Sequence, residues 1–543
     1  MGTALSRFRL ALRSFRAVTA AYEELNNRIQ QSPGIPAPDP TTSYWAIPAS
    51  PIARHGSDAT LPAYADVVII GSGITGTAFA RTLLGFTYKN AGVVDSPQIV
   101  MLEARDACSG ATGRNGGHIT PDLYHDYGDL KEAYGTESAQ AIIRFRLSHL
   151  DELIQVSKDE ELLEDGQCRK VETFDVFFDQ ESFRTASRNL AIYLDEMPDQ
   201  LKLWRIVGAD ERKVFAVAVS PLSVADHAHS FCLFTHTPCL SISSPASPKT
   251  SEQLYTVCTK KGNIQARHVV HATNAWASNL LPTMRRKIVP VRAHMTAQRP
   301  GMGLGRKPPL EKTPPKLANH SVLTLIDNAE GASESWLGTR SFVLYSGGKY
   351  DYLTQQPATS AASSLYPPPA AEFMFGGGLS RGQAMEYELG VADDRAWSLD
   401  TAAYLGGALS LYFSGWGAEG RDGKCAESLA DSDIEAGRVK KIWTGIFGMS
   451  ADGCPWVGRL PAKIAGRPMP RPSPSIPRLA APGEWISAGY SGEGMVLAFL
   501  SGKALAYMVL GSAEEVPLPG PLLITEARWK EANIENLVTS VLV

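Results

Sequence analysis

Glycines at 71, 73 and 76, with Ser72 and Ile74 between them, have the spacing of a turn that lays backbone against a pyrophosphate. In such a turn the first glycine makes the tight bend, the second lets the backbone approach the phosphates, and the third lets helix and strand pack closely. Free amides and the positive end of the following helix attract the negative charge. Glu103, followed by Ala104 and Arg105, supplies a carboxylate of the kind that takes ribose hydroxyls, and an acid there argues for an unphosphorylated ribose. A second run, SGATGRNGGHIT at 109–120, gathers Thr112, Arg114, Asn115, Gly116, Gly117 and His118. An arginine in such a run can hold a phosphate or carbonyl oxygen through charge-assisted bonds of fixed geometry, with a surface salt bridge as its ordinary alternative.

The elements needed to position these groups occur in the right order. Val67 to Ile70 form an unbroken apolar, β-branched run, as expected of a parallel strand buried on both faces. Ile74, Ala78 and Leu83 then fall close to one helical stripe. Val100, Met101 and Leu102 form a second strand that ends at Glu103, after an interval longer than the usual ~20 residues. GFTYKNAGVVDSPQ reads as an insertion before it. A bare glycine motif would say little, but strand, turn, helix and terminal acid together predict a dinucleotide site.

Which dinucleotide follows from the second run. SGATGRNGGHIT resembles the second flavin-contacting segment of the D-amino-acid-oxidase-like (DAO) FAD-dependent oxidoreductases, and its GATGRNGGH form is closest to gamma-glutamylputrescine oxidoreductase and its fungal relatives. GNIQARHVVHATNAWASNLLP, WTGIFGMSADGCPWVGRLP and ISAGYSGEGMVLAFLSGKALA resemble three further segments of that family, with Ala272, Thr273 and Asn274, then Asp452, Pro455 and Gly458, then Gly489, Gly492, Gly494 and Met495 in pattern. The resemblance implies an α/β fold: a glutathione-reductase-type, Rossmann-like FAD-binding domain with an inserted α+β substrate domain on a mixed or antiparallel sheet. It implies FAD contacts from Gly71, Ser72, Gly73, Ile74, Gly76, Glu103, Ala104, Arg105, Thr112, Arg114, Asn115, Gly116, Gly117, His118, Thr273, Gly489, Gly492, Gly494 and Met495. FAD is expected to be noncovalent, because the positions where two branches of the family carry an attaching cysteine or histidine are Gly445 and Arg114 here. No metal is expected.

The implied reaction is oxidation of a C–N bond of an amine or amino acid to an imine by hydride transfer to flavin, with oxygen or another acceptor taking the electrons. No second GxGxxG and no redox cysteine pair accompany Cys108, which argues against the pyridine-nucleotide-linked flavoenzymes and disulfide reductases. Other readings are a tailoring oxidase or dehydrogenase of a larger natural product, and a flavin-binding protein without catalysis. The stretch between KVFAVAVSPLSVADHAHSFCLF and THTPCLSI is shorter than in the family, which favours an altered substrate domain.

Substrate contacts carry a thinner signal. SFVLYSGGKYDYLTQQP and EFMFGGGLS have the alternation of sheet strands, and Tyr345, Tyr350 and Tyr352 are candidates for an aromatic cage around an amine, against cross-strand packing as the alternative. Arg292, His294 and Arg340 are candidates for a carboxylate clamp, although core or surface duty is the default for single charged residues. His118, Asn274 and Asp452 each have a packing or turn-closing alternative.

The expected division is 1–63 as N-terminal helix and proline-rich arm; 64–154, 256–294 and 436–515 as the FAD-binding domain; 155–255 and 295–435 as the substrate domain; and 516–543 as tail. At 543 residues and 44% hydrophobic the chain can bury a large core, and its net charge of −4 leaves no basic footprint for nucleic acid. Seven cysteines without CxxC spacing fit a reducing compartment. No apolar run approaches a transmembrane span. The expected location is cytoplasmic, with a mitochondrial presequence as the alternative reading of Arg7, Arg9, Arg13 and Arg16 on a helix whose other face carries Leu5, Phe8, Leu12 and Phe15.

Overall fold

The computed structural model describes residues 2–89, 96–163, 166–201, 215–218, 230–244, 254–299, 338, 340–346, 349–357, 371–379, 384–413, 438–470 and 479–535. Cys425, the centre of the insertion before the second strand, and most of the shortened stretch near 215–235 lie outside them, as does much of the expected substrate domain.

Two eight-stranded sheets organise the described residues. An N-terminal helix, α1 (Gly2–Gln30), precedes strand β1 (Tyr64–Ile70), helix α2 (Ile74–Lys89) and strand β2 (Ile99–Leu102). In the first sheet β1 lies between β2 and Gly262–His271, parallel to both, and Gly483–Ala488 extends the parallel set beyond Gly262–His271. Phe231–Phe234 adds a parallel edge beside β2, and the hairpin Cys239–Ser243 with Tyr255–Thr259 joins through Gly262–His271. Alternation along β1 explains its unbroken apolar run. Val67 and Ile69 face Phe79 and Leu83 of α2 and Leu505 and Val509 of a late helix, α3 (Gly494–Val509). Val68 and Ile70 face Tyr255, Val257 and Ile264 on the other side. Both faces are therefore covered, as a parallel sheet requires.

The second sheet runs Val439–Ser450, Ile288–Gln298, Phe373–Gly377, Lys349–Gln355, Arg340–Ser346, Arg169–Phe177, Phe215–Ala218 and His118–Ile119. It is antiparallel except where Arg340–Ser346 runs parallel to Arg169–Phe177. The two tyrosine- and phenylalanine-rich stretches form the strands expected of them, with Tyr345 opposite Tyr350. Phe342, Leu344, Phe373 and Phe375 pack under the helix Leu399–Tyr412 through Leu405 and Leu409.

Strand by strand, the sheets divide the chain differently from the expected boundaries. Phe231–Phe234 and Cys239–Ser243 belong to the dinucleotide-type sheet, although they fall within 155–255. Val439–Ser450 and Ile288–Gln298 pair over eleven residues in the other sheet, although 436–515 was assigned to the first. The pairing of these two long strands is a contact between distant parts of the sequence, which local pattern does not encode.

The end of α1 is anchored: Leu25 and Ile29 are buried against Val289, Val291 and Leu389. Earlier residues on the same helix, Phe8 and Phe15 among them, are exposed. No helix among the described residues is long and apolar enough to cross a membrane.

Candidate active site

The carboxyl end of β1 opens into a cavity of about 1320 Å³ that runs from the first sheet to the second. Its first part is the predicted turn. Gly71 takes φ +107°, and a Cβ there would lie 2.5 Å from the Ala272 carbonyl oxygen, so no larger residue fits. A Cβ on Gly76 would lie 2.1 Å from the Gly71 oxygen, which holds the first turn of α2 against the strand end. Glu103 stands at the end of β2; its Oε2 accepts from the Ser72 amide (3.0 Å) and hydroxyl (2.7 Å), and its Oε1 accepts from the Arg105 amide (3.0 Å). The glycine turn and the acid are thus one bonded unit.

The second segment folds back over this turn. Thr112 Oγ1 accepts from the Ile74 amide at the start of α2 (2.9 Å), and Asn115 Oδ1 accepts from the Gly117 amide (2.7 Å). His118 bonds Thr354 Oγ1 through Nδ1 (2.6 Å) and packs edge-on against Tyr352, so the segment ties the two sheets together. Burial pushes the His118 imidazole down to about 4, so it is neutral at ordinary pH.

Gly71, Gly73, Ile74, Glu103, Ala104, Arg105, Thr112, Arg114, Asn115, Gly116, His118, Thr273, Gly492, Gly494 and Met495 line the cavity. Ser72, Gly76, Gly117 and Gly489 are not among the lining residues. Gly489 donates its amide to Asn274 Oδ1 (3.0 Å). Asp452 is away from the cavity, paired with Arg528 (2.8 Å).

Arg114 is neither on the surface nor free. Its Nη1 donates to the carbonyls of Thr41 (2.7 Å) and Thr444 (2.8 Å), and its Nε donates to the Ser109 carbonyl (2.7 Å). Fully buried Asp394 receives Arg105 at 2.9 Å and lies 3.7 Å from Arg114 Nε. Burial lowers the Arg114 pKa to about 10, opposed by Asp394. Asp394 lies nearly three hundred positions beyond Arg105, and nothing local marks it.

The substrate candidates separate. Tyr345, Tyr350 and Tyr352 line the cavity, with Tyr345 stacked on Phe177 at 4.9 Å. Arg292 is absent from the lining; its Nε meets buried Glu388 at 2.6 Å. Arg340 is likewise absent from the lining and lies over the Phe174 ring at 5.6 Å. His294 does face the cavity, but its Nε2 accepts from the Ser398 amide (2.8 Å) and burial pushes it down to about 4, so it offers no cation. These three do not form a carboxylate clamp. A strand residue's side chain can face either way, and the partner acid Glu388 comes from a distant helix, so sequence spacing could not show it.

Sequence reasoning missed an acidic group at the substrate end. Asp122, Asp175 and Glu493 line the cavity with Tyr124 and His125. Arg146 lies 2.8 Å from both Asp126 and Glu493. Burial pushes Glu493 up to about 8, with Arg146 opposing and Asp126 and Asp122 adding to the rise. The only signal in the sequence was that Glu493 sits inside the GYSGEGM segment.

A parallel sheet with a phosphate-type turn, joined through one cavity to a mostly antiparallel sheet, is the architecture of a Rossmann-like dinucleotide-binding domain with a second domain over it. The chain belongs to the DAO family of FAD dependent oxidoreductases, whose sequence model matches residues 66–220 and 224–508, and its cofactor is FAD. No curated protein matches it. Among solved structures it is similar to glycine oxidase from Geobacillus kaustophilus (15% identity; 86% of this chain, 99% of that chain; TM-score 0.48). It is also similar to L-amino acid deaminase from Proteus vulgaris with its specific insertion deleted (12%; 88% and 98%; 0.49) and L-proline dehydrogenase from P. horikoshii (15%; 84% and 96%; 0.46).

The residues present fit that cofactor. Gly71 and Gly73 line the cavity without side chains, and a Cβ on Gly73 would press on Thr112 Oγ1 at 3.0 Å, so bare backbone faces the space there. Three buried polar atoms, Ser109 Oγ, Thr273 Oγ1 and Trp276 Nε1, belong to segments around the cavity and have no hydrogen-bond partner among the described residues. Buried polar groups are rarely left unpaired, so these point to a polar ligand.

Proposed function

We propose that this enzyme oxidises a C–N bond of an amine to an imine, with FAD held noncovalently and oxygen as electron acceptor. The chemistry FAD would supply there is a hydride acceptor for the carbon next to nitrogen, and the imine product would hydrolyse in water. The observation that carries the reading is the continuity of one cavity from the Gly71 turn to the tyrosines and acids of the second sheet.

The chain's own groups position the reactants. Glu103, the Gly71 turn and the second segment fix the cofactor, and the apolar and tyrosine-lined walls of the second sheet exclude water around the substrate. An amine is favoured over an amino acid by charge. Arg105 and Arg114 are committed to Asp394, Arg144 pairs with Asp199, and Lys170 pairs with Asp151, whereas Asp122, Asp175 and Glu493 face the substrate end with Arg146 already paired to Asp126 and Glu493. Burial raises Asp122 and Glu493 toward their neutral forms, and a cation bound beside them would favour the carboxylates. A cationic group on the substrate would be held there by carboxylate and tyrosine. The same preference supports kinship with fungal relatives of gamma-glutamylputrescine oxidoreductase. Noncovalent attachment is supported by Gly445, where a Cβ would lie 3.1 Å from the Arg114 Cβ and no nucleophile is present.

The visible spectrum of the purified protein, taken before and after acid precipitation and then during anaerobic addition of amines and amino acids, tests the reading. The expected result is flavin released by acid and bleached by an amine. Flavin that stays with the pellet rules out noncovalent attachment, and flavin that no amine or amino acid bleaches rules out the reaction. Peroxide formed on admitting air identifies oxygen as acceptor.

A further inference from the structure

We propose that the extended arm of residues 32–45 is a wall of the cofactor site and closes it over the adenosine end of FAD. This rests on the reading that FAD lies with its adenosine toward Glu103. The arm lies before residue 66, where the match to the family model begins.

Gly34, Ile35 and Pro36 line the same cavity as Glu103, Ala104, Arg105 and Trp276. Ile35 is 43% exposed, an apolar surface that faces a cavity and would leave water when the cavity fills. Trp276 is 8% exposed, and its Nε1 is among the atoms without a partner, so a donor and an apolar wall flank the same space. A purine has apolar faces and acceptor nitrogens on its rim, which is the chemistry these two groups would recognise.

The arm is bonded along its length to the cofactor-contacting segments themselves. Ser32 Oγ donates to Asn279 Oδ1 (2.9 Å), and Arg105 Nη1 donates to the Ala37 carbonyl (3.4 Å). The Thr41 amide donates to the Asp394 carbonyl (2.8 Å), while Thr41's own carbonyl accepts from Arg114 (2.7 Å). Ser43 Oγ donates to the Gly113 carbonyl and Trp45 Nε1 to the Asn115 carbonyl, each at 2.7 Å. Residues 41–45 are therefore fixed to the second flavin segment. The stretch at 34–36 holds fewer bonds and is the part that can lift to admit the cofactor.

FMN supplies the control, because it lacks adenosine and cannot touch this wall. Protein stripped of flavin is titrated with FAD and with FMN by fluorescence, for the natural sequence and for Ile35→Asp. The expected result is FAD affinity weakened roughly tenfold or more in the variant, the scale of one half-exposed isoleucine taken out of water, with FMN affinity unchanged. Limited proteolysis of the unaltered chain provides a second measurement: FAD should protect the arm around residues 31–40, and FMN should not. Unchanged FAD affinity in Ile35→Asp, or equal protection by both flavins, overturns the arm's role while leaving the cofactor in place. A natural chain that binds neither flavin overturns the cofactor reading itself.

Discussion

At the scale of single residues, burial decides charge more than residue type does. Glu493 sits among Asp122, Asp126 and Arg146, three carboxylates around one guanidinium, with carboxylate oxygens within 4.8 Å of one another. Its pKa is raised in the fold, so its contribution to stability is complete below the ordinary glutamate range and is lost as pH rises through about 8. The melting temperature of the natural protein should therefore fall between about pH 5 and 8 more steeply than that of Glu493→Gln, which stays neutral throughout. Parallel profiles would show that Glu493 is ionised in the fold. Gly76 permits a second test. A methyl there must displace the Gly71 carbonyl, so Gly76→Ala should destabilise by about 1–3 kcal/mol and weaken FAD binding, read by thermal melts and flavin titration. The glycines and Glu103 were legible from sequence because their chemistry is local. Asp394 and the partners of Arg292 were not, since their contacts join positions 289 and 96 residues apart.

At the scale of elements, pairing settles what periodicity leaves open. The β1 run was readable as a two-face strand from composition, and clusters on both sides of it explain why. The strands Arg340–Ser346 and Lys349–Gln355 were readable from alternation, and their antiparallel register places Tyr345 against Tyr350. The strand Ile288–Gln298 shows the limit. Period two assigns Arg292 and His294 to one face, and both do meet the 388–398 stretch, Arg292 at Glu388 and His294 at the Ser398 amide; the alternation gives no sign that these protein groups are their partners. Removing Arg292 leaves buried Glu388 without its cation, beside neutral His294 at 4.0 Å, so Arg292→Ala should cost about 3–5 kcal/mol in urea unfolding. The same variant should leave the KM ratio between carboxylate-bearing and carboxylate-free amines unchanged. A selective loss of the carboxylate-bearing substrate would restore Arg292 as a substrate ligand.

At the scale of the whole molecule, the cavity lies between the sheets and is lined by both, so filling it should couple them. FAD that binds only the folded chain stabilises it by about 2.7 kcal/mol at a hundredfold excess over Kd. Removal of flavin should therefore lower the melting temperature of both sheets together, read by calorimetry as one transition that shifts; two separate transitions would show that the sheets unfold independently. By itself the sequence determined the strand-turn-helix unit, the acid at the end of the second strand and the family, because these depend on short spacings that backbone sterics translate directly into geometry. Only the tertiary structure decided which sheet each later strand joins, that Arg292 and Arg340 stand away from the cavity, that acids crowd its substrate end, and that the arm reaches its rim. Those outcomes rest on long-range pairing and burial, where the same residue types satisfy many arrangements and only packing selects one.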